Sequence, residues 1–465
     1  MTKGHQIIVG DVLDQLKNLP DNWVHCVVTS PPYFGLRDYG TAQWSGGDPL
    51  CDHSPGREGW AAKSTLQGSK ETQDHRMDGF PGRSCPKCGA QRVDLQIGHE
   101  DTPDLYVDKL VKIFNEVRRV LRKDGTLWLN LGDSYWGSWG NSGNRPQLDG
   151  ESRGQRERKT QYMERPGYDE HRRRPASSYK VPGLKNKDLV GIPWMVAFAL
   201  RRAGWWIRSE IIWFKKNGMP ESVEDRPAKA HETIFLLTKS DDYFYDHEAV
   251  KELSKDPERV RNDQFGGEKY KGLQNSPAGV YQGGETRNLR DVWHLSTVPS
   301  QVAHFAVFTP GLPLKCIKAG TSLKGCCAKC KRPWTRLMED TGVEDESAKG
   351  SKFEAGKTLV QQPRHPNASN KPRTVKKTIG WVPDCKCGVS EVEPCIVLDI
   401  FHGSGTTGAV AEYLGMKYIG IELSQENAEL YDQRCAEVRR HLIGGDAPDR
   451  DVSESQISLF QEEPK

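Results

Sequence analysis

One stretch near the carboxyl end of the 465-residue chain limits what the rest of it can fold into. An apolar run, CIVLD, ends at Asp399, a glycine-rich loop follows from Gly403 to Gly408, and a helical segment then leads into a second apolar run, KYIGIELS. This order of strand, glycine loop, helix and strand is typical of nucleotide-binding α/β sheets. Too few residues follow Gly408 to complete such a sheet, so the remaining strands must come from earlier in the chain.

The amino-terminal part of the chain offers those strands. We read a strand in QIIVGD, a short helix in VLDQLKNLP and a buried strand in HCVVTS, an alternation that predicts a parallel sheet. We expect QIIVGD to continue the sheet beyond KYIGIELS. A helix opened by Thr102 and Pro103 is expected to end at Asp124 and Gly125, before a strand in TLWLNLG. A further helix is predicted in GIPWMVAFALRRAG, and two further strands in WWIRSEIIWF and HETIFLLTK.

The glycine loop has a competing interpretation. Gly403, Gly405 and Gly408 fit the dinucleotide pattern G-x-G-x-x-G, and Glu422 follows at a spacing that suits an acid bound to a ribose. However, Asp399 immediately precedes the loop, where a carboxylate would repel a pyrophosphate and attract a positively charged ligand group. The loop therefore favours a different nucleotide, and nicotinamide binding would distinguish the two interpretations.

Two motifs together resemble a known family. The segment DIFHGSGTTG looks like the S-adenosylmethionine-binding motif of the DNA amino-methyltransferases, and TSPPY looks like their catalytic motif. The catalytic motif precedes the cofactor loop, an order that resembles the β class of that family. The resemblance covers most of the chain but fits the cysteine-bearing insertions less well, and Ile400 and His402 depart from the usual cofactor motif. It implies an α/β fold: a circularly permuted, Rossmann-like methyltransferase sheet with zinc-stabilised and polar insertions.

The resemblance also assigns the S-adenosylmethionine site. Phe401 and the backbone that follows it would line the methionine moiety, Glu422 would accept from the ribose hydroxyls, and Asp11 would accept from the adenine amine. Asp11 is equally suited to cap the helix that follows it, and both roles are compatible. The expected cofactor-binding residues are Asp11, Asp399, Phe401, Gly403, Ser404, Gly405, Thr406, Thr407 and Glu422.

The sequence Ser30-Pro31-Pro32-Tyr33 suits methylation of an exocyclic amine. Such an amine is a poor nucleophile because its lone pair is delocalised into the ring, and two fixed acceptors for its N–H groups would free that lone pair. Ser30 can offer its hydroxyl oxygen and Pro31 its carbonyl, while the two prolines stiffen the loop and Tyr33 offers a stacking face for a flipped base. An ordinary turn is the alternative, but the matching cofactor loop favours the clamp.

Serine at the head of this motif is more typical of N4-cytosine enzymes, and aspartate of N6-adenine enzymes, so we favour cytosine N4. No cysteine lies between Thr29 and Gly40, which argues against a cytosine-C5 enzyme. An RNA or protein methyltransferase and a DNA-binding scaffold without turnover stay open, although the intact motif argues against the scaffold.

Eight residues form two sets with the spacing of metal ligands. A C-x-H pair with a later C-x-x-C, and a C-x-x-C pair with a later C-x-C, each suit a closed tetrahedral zinc site without a catalytic position. Cys326 could replace Cys327 in the second set. The remaining cysteines, among them Cys395, are expected to be packing residues. The expected ligands are Cys51, His53, Cys85 and Cys88, and Cys327, Cys330, Cys385 and Cys387.

Double-stranded DNA is the expected partner, with a cognate restriction endonuclease possible. The 66 Lys and Arg against 63 Asp and Glu neither require nor exclude a polyanion, so recognition would rest on local segments in which Arg287, Arg290 and Trp293 could contact DNA. No apolar run reaches the ~18 residues of a membrane span, and no signal peptide is evident. We therefore expect a cytoplasmic, nucleoid-associated prokaryotic or phage-like protein.

The predicted organisation combines one interrupted domain with insertions. Residues 1–250 form the catalytic part of the methyltransferase domain, with an insertion at 41–100 and a mobile basic loop at 137–182; 251–300 is a candidate target-recognition segment; 301–324 and 389–445 form the cofactor-binding part; 325–388 is a cysteine-rich zinc insertion; and 446–465 is a polar tail.

Overall fold

The structure is a computed structural model that describes most of the predicted sheet and parts of the insertions. The described residues are 4–35, 43–53, 85, 87–93, 95–136, 181–218, 220–254, 260–262, 280–282, 286–298, 300, 308–344 and 374–443. The predicted polar tail and nearly all of the predicted basic loop lie outside them.

Seven α-helices and eighteen strands occur in the described residues. The helices are α1 Val12–Lys17, α2 Pro103–Val120, α3 Ile192–Arg202, α4 Gly311–Gly320, α5 Thr406–Tyr413, α6 Gln425–Glu429 and α7 Tyr431–Ile443. The strands are β1 His5–Val9, β2 Val24–Thr29, β3 Gln43–Ser45, β4 Gln91–Val93, β5 Leu121–Leu131, β6 Trp206–Lys215, β7 His231–Thr238, β8 Glu252–Leu253, β9 Val260–Asn262, β10 Val280–Gln282, β11 Thr286–Arg287, β12 Val292–Leu295, β13 Cys326–Cys327, β14 Trp334–Glu344, β15 Thr374–Pro383, β16 Val392–Glu393, β17 Ile396–Asp399 and β18 Lys417–Glu422.

Eight of the strands form one mixed sheet in the order β1-β18-β17-β2-β5-β7-β6-β12. The prediction that QIIVGD continues the sheet beside KYIGIELS is confirmed, because β1 pairs in parallel with β18. Strand β17 in turn pairs in parallel with both β18 and β2, so the two carboxyl-terminal strands lie between the first two strands of the chain. Strand β7 runs antiparallel to β5 and β6, a reversal that the apolar pattern did not predict.

Helices cover the sheet on both faces, which gives three layers. On one face, α1, α2 and α3 contribute residues such as Leu16, Phe114 and Val196 to a buried cluster. On the other face, α4, α5 and α7 contribute a second cluster that includes Val410 and Val438. No helix in the described ranges combines the length and the apolar character needed to cross a membrane.

Helix α2 begins as predicted but ends earlier. The Thr102 side chain accepts a hydrogen bond from the Leu105 backbone N–H at 3.3 Å, and Pro103 occupies the first turn. The predicted end at Asp124 and Gly125 is wrong, because the chain is already extended at Leu121 and enters β5 there. Gly125 instead permits a close approach to β2, since a Cβ at this position would lie 2.9 Å from the carbonyl oxygen of His25.

Strand β12 lies within the candidate target-recognition segment 251–300, for which no strand was predicted. It forms the edge of the main sheet by pairing in parallel with β6. Trp293 on this strand is only 2 % exposed and donates through Nε1 to the Arg290 carbonyl at 2.8 Å. The hypothesis that Trp293 contacts DNA is therefore wrong, because the folded sheet buries it. Arg287 and Arg290 both form ion pairs with Glu252.

Candidate functional site

A cavity of about 380 Å³ opens at the carboxyl ends of parallel strands of the main sheet. It lies where the parallel strands β1, β2, β17 and β18 end, and open α/β sheets bind ligands at the carboxyl ends of their strands. Its size is in the range of small-molecule and cofactor sites. The wall is formed by Gly10, Asp11, Val12, Ser30, Pro31, Pro32, Tyr33, Leu95, Gln96, Ile97, Asn130, Trp213, Lys215, Glu232, Thr297, Phe308, Ile400, Phe401, His402, Gly403, Ser404, Thr406, Ile421, Glu422, Leu423 and Asn427.

All four residues of the predicted catalytic motif, Ser30 to Tyr33, line this cavity directly after β2. Neither proline has an N–H group, so the loop offers carbonyl acceptors here without competing donors. The carbonyl of Pro32 accepts a hydrogen bond from the Tyr106 hydroxyl at 2.9 Å, which ties the loop to α2. Gly98 permits this packing, because a Cβ there would lie 2.9 Å from the Tyr33 carbonyl oxygen and its φ is +102°.

The Tyr33 hydroxyl belongs to a polar network in the cavity wall. It donates to Glu232 Oε2 at 2.6 Å and lies 3.3 Å from Ser30 Oγ. Asn130 Nδ2 lies 2.9 Å from the same hydroxyl and 2.8 Å from Glu232 Oε2. Lys215 Nζ lies 2.5 Å from the other carboxylate oxygen of Glu232. Burial alone would raise the pKa of Glu232, but the Lys215 ammonium and these hydrogen bonds outweigh it and lower that pKa.

The predicted cofactor loop, which follows β17 next to β2, lines another part of the same cavity. Gly405 has a φ of +93°, and a Cβ at this position would lie 2.4 Å from Tyr431 Cδ2, so only glycine fits. Helix α5 starts directly afterwards, at Thr406. Of the predicted loop residues, Phe401, Gly403, Ser404 and Thr406 line the cavity, whereas Gly405 and Thr407 do not.

Asp399 does not line the cavity either. It is 1 % exposed, and it accepts hydrogen bonds from the Thr29 and Thr407 hydroxyls, both at 2.7 Å, and from the Phe401 backbone N–H. Burial raises its pKa to about 6 despite these hydrogen bonds. The structure thus places this carboxylate where it links the Thr29 side chain at the end of β2 to the Thr407 side chain of α5 and to the Phe401 backbone, outside the cavity wall.

Asp11 and Glu422 both reach the cavity. Asp11 caps α1, because its side chain accepts from the Leu13 backbone N–H at 2.9 Å and from that of Asp14 at 3.3 Å. Glu422 Oε2 accepts from the Gly403 N–H at 2.7 Å, and its Oε1 accepts from the Ser424 N–H at 3.0 Å. Glu422 Oε1 also accepts from Asn427 Nδ2 at 3.3 Å. A carboxylate has about four lone-pair positions, so Glu422 retains capacity for one further donor from the cavity.

The first cysteine set comes together as predicted. The ligand atoms of Cys51, His53, Cys85 and Cys88 all lie within 4.8 Å of one another. Cys51 Sγ and Cys85 Sγ are 3.9 Å apart, close to the edge of about 3.8 Å that Zn–S bonds of about 2.3 Å give in a tetrahedron. These residues therefore have the donor types and the spacing of a structural zinc site.

The second set comes together as well, and it uses Cys327 rather than Cys326. The ligand atoms of Cys327, Cys330, Cys385 and Cys387 lie within 4.8 Å of one another, whereas Cys326 lies in a separate buried group with His25 and Cys395. The expectation that Cys395 packs in the core is confirmed, since it is fully buried.

The C-x-x-C half of each set is folded in the same way. The residue after it, Gly89 or Lys331, has a positive φ and donates its N–H to the carbonyl of the first cysteine at 2.8 Å. In both sets this tight turn brings the two thiols of the half-site to one side of the chain.

Sequence reasoning missed several polar residues of the wall. Asn130, Lys215, Glu232 and Asn427 line the cavity, and none of them was predicted. A usable signal existed for three of them: Asn130 and Lys215 lie at the ends of apolar strand runs, and Glu232 lies at the start of one. Since ligands bind at strand ends in open α/β sheets, polar residues at these positions were candidates.

Comparison with known proteins gives the same assignment as the motifs. Residues 24–327 and 392–433 match the family model described as DNA methylase, which comprises N6 and N4 methyltransferases. The Type II methyltransferase M.SmaI of Serratia marcescens is 32 % identical over 432 residues, or 92 % of this chain and 90 % of that protein. The Type II methyltransferase M.XycI of Xanthomonas campestris pv. cyanopsidis is 37 % identical over 325 residues, or 69 % of this chain and 73 % of that protein.

Among solved structures, the cytosine-N4-specific PvuII DNA methyltransferase is similar over 99 % of this chain and 92 % of that chain, with 14 % identity and a TM-score of 0.43. A similarity this loose carries no argument by itself. The family match, by contrast, extends over both motifs that line the cavity. The chain therefore belongs to the DNA methylase family of S-adenosylmethionine-dependent N6 and N4 methyltransferases.

Proposed function

We propose that this protein methylates the N4 amine of a cytosine flipped out of double-stranded DNA, at a specific site. The observation that carries the proposal is the lining of the cavity: Ser30 to Tyr33 form one part of its wall, and the loop from Phe401 with Glu422 forms another part. A base and a methyl donor held against these two parts of the wall would meet inside one cavity. Methylation of the N6 amine of adenine is the alternative.

The residues of the loop after β17 fit S-adenosylmethionine. Glu422 retains a lone pair for a ribose hydroxyl, and Asp11, Phe401 and Gly403 line the same cavity, where the adenine amine and the methionine moiety would lie. When bound there, S-adenosylmethionine would supply an electrophilic methyl group. The circularly permuted description of the fold stays a prediction that agrees with the position of β17 and β18 between β1 and β2.

The catalytic loop would orient and activate the amine. Ser30 Oγ and the Pro31 carbonyl would accept the two N–H groups, which favours a tetrahedral nitrogen with a free lone pair. Serine as the first acceptor favours cytosine N4, as it does in the family that the motif resembles. Tyr33 and the neighbouring wall would exclude water from the reacting atoms.

The two cysteine sets would each hold a structural zinc ion. Each provides four soft or borderline donors within 4.8 Å, and the polar segments around them have little apolar surface with which to fold. The loops would thereby be fixed beside the catalytic domain. Segment 251–300 remains the predicted target-recognition segment, and the relatives named Type II methyltransferases suggest a cognate restriction endonuclease as a partner.

The test is to produce the protein in a methylation-deficient bacterial host and sequence the host DNA with a method that distinguishes N4-methylcytosine from N6-methyladenine. We expect N4-methylcytosine within one sequence motif, and none in a host that produces Ser30→Ala. Methyladenine in its place would refute the choice of base. Unmodified DNA from cells whose purified protein binds S-adenosylmethionine would refute the assignment of DNA as the substrate of the chain acting alone.

A further inference from the structure

In the hydrogen-bond network of Ser30, Tyr33, Asn130, Lys215 and Glu232, the chemistry of each group decides which one donates and which one accepts. An ionised carboxylate only accepts, whereas an ammonium and an amide NH₂ only donate. Glu232 therefore accepts from Lys215 Nζ, from Asn130 Nδ2 and from the Tyr33 hydroxyl. Because the single hydroxyl hydrogen of Tyr33 points to Glu232, its oxygen must accept from Ser30 Oγ, which lies 3.3 Å away.

This direction determines what Ser30 presents to the cavity. A serine hydroxyl has one hydrogen and two lone pairs. With its hydrogen directed to Tyr33, Ser30 can only accept from a group in the cavity, which is what an amine N–H requires. Burial and the neighbouring Glu232 charge hold the pKa of Tyr33 well above its ordinary value, so the phenol stays protonated and keeps its hydrogen available to Glu232.

The reaction leaves one proton to remove. When the amine lone pair forms the bond to the methyl group, the bond between that carbon and the sulfonium breaks and its electron pair stays on sulfur. The nitrogen becomes cationic and must lose an N–H proton to give the neutral product. A serine hydroxyl and a proline carbonyl are both very weak bases. In this wall Glu232 is the carboxylate connected to Ser30 by consecutive hydrogen bonds, through Tyr33.

We propose that Glu232 is the terminal acceptor of the proton that the target amine releases, and that Ser30 and Tyr33 relay it. The proposal rests on the function proposed above. The N–H bond breaks with its electron pair left on nitrogen, and a new O–H bond forms on Ser30. The former Ser30 hydrogen passes to the Tyr33 oxygen, and the former Tyr33 hydrogen passes to Glu232 Oε2.

The pairing of Lys215 with Glu232 is compatible with a cationic methyl donor. The Lys215 and Glu232 charges cancel, so before reaction the wall does not repel a sulfonium in the cavity. After the relay, the positive charge lies on the Lys215 and Glu232 pair instead of on the product base. Their side chains are 26 % and 14 % exposed, which gives the proton a route to solvent.

The test compares Glu232→Gln, Tyr33→Phe and their double variant in single-turnover methylation with saturating DNA duplex and S-adenosylmethionine. Glu232→Gln keeps the size of the side chain but cannot take up the proton, and Tyr33→Phe keeps the ring but interrupts the relay. We expect each single variant to be slower by on the order of 10²-fold, a typical contribution of a positioned proton acceptor. The double variant should be no slower than the singles, because both substitutions interrupt one pathway.

Two further measurements distinguish a relay from a merely structural effect. S-adenosylmethionine affinity, measured by calorimetry, should stay within about threefold of wild type in all variants. Formate should restore turnover to Glu232→Ala, whereas chloride at the same ionic strength should not, because only formate is a base. Glu210→Gln, the same substitution on neighbouring β6 outside the cavity wall, is the matched control and should match wild type.

The relay would be overturned if Glu232→Gln and Tyr33→Phe methylated DNA within about threefold of the wild-type rate, or if these variants lost only affinity for DNA. Equal effects of formate and chloride on the turnover of Glu232→Ala would overturn it as well. Wild-type protein that methylates no duplex at all would overturn the proposed function, and the assignment of Glu232 with it.

Discussion

The buried carboxylate of Asp399 should make the stability of the protein depend on pH in a defined direction. Its pKa is about 6 in the fold against the ordinary 3.8, because burial outweighs the hydrogen bonds from Thr29, Thr407 and Phe401. Between these values the native state retains a proton that the unfolded chain has released. The contribution is therefore most favourable to folding below about pH 4 and is lost as pH rises through about 6.

The size of the effect follows from the two values. At 1.36 kcal/mol per tenfold change in proton affinity, the difference corresponds to about 3 kcal/mol, of which about 2 kcal/mol falls between about pH 4.5 and 7.5. Asp399→Asn cannot titrate. We therefore expect the free energy of unfolding of the variant, relative to wild type, to rise by about 2 kcal/mol across that interval.

Urea unfolding of both proteins at several pH values, followed by tryptophan fluorescence, measures this difference directly. Thr407→Val is the informative second variant: it removes a hydroxyl that donates to Asp399, so it should raise the pKa of Asp399 further and move the interval to higher pH. A difference between Asp399→Asn and wild type that does not change with pH would refute the reasoning.

Three further perturbations test the site and the insertions. Gly132→Ala would place a Cβ 2.4 Å from Tyr33 Cε2 and should slow methylation at least about tenfold by displacing the ring, whereas Gly380→Ala, with open space around it, should have no effect. Glu422→Gln should weaken S-adenosylmethionine binding by about tenfold in calorimetry, the value of one hydrogen bond to a charged group, and unchanged affinity would refute the ribose assignment. Cys330→Ser should lower the zinc content of the purified chain by one ion in elemental analysis, and equal zinc in wild type and variant would contradict the second site.

The parts of the fold that the sequence predicted are those with a local signature. Gly403 to Gly408 between two apolar runs indicated a strand, a loop and a helix, and the apolar run QIIVGD was correctly expected to continue the sheet as β1. Both cysteine sets were likewise evident, because the turn of a C-x-x-C half-site is encoded within five residues. Their long separation did not matter once each half-site was recognised.

Features that depend on distant partners were not predictable in the same way. An apolar run such as IFLLT shows that a strand is buried but not its direction, so the antiparallel course of β7 was missed. Asp399 was expected to face a ligand because only its neighbours in sequence were known. Its actual partner Thr29 is 370 positions away, and the Glu232 that fixes Tyr33 is 199 positions away.

The place of β17 and β18 between β1 and β2 has a consequence for the synthesis of the protein. The ribosome releases His5–Val9 and Ser30 long before Lys417–Glu422, and among the described residues β18 is the strand with which β1 pairs. Contacts this distant in sequence form late and slow folding. A nascent chain that has not reached Ile396 carries Ser30 and Tyr33 but neither the glycine loop nor Glu422. Methyl transfer must therefore wait until the glycine loop and Glu422 have been made, and shorter nascent chains cannot modify DNA.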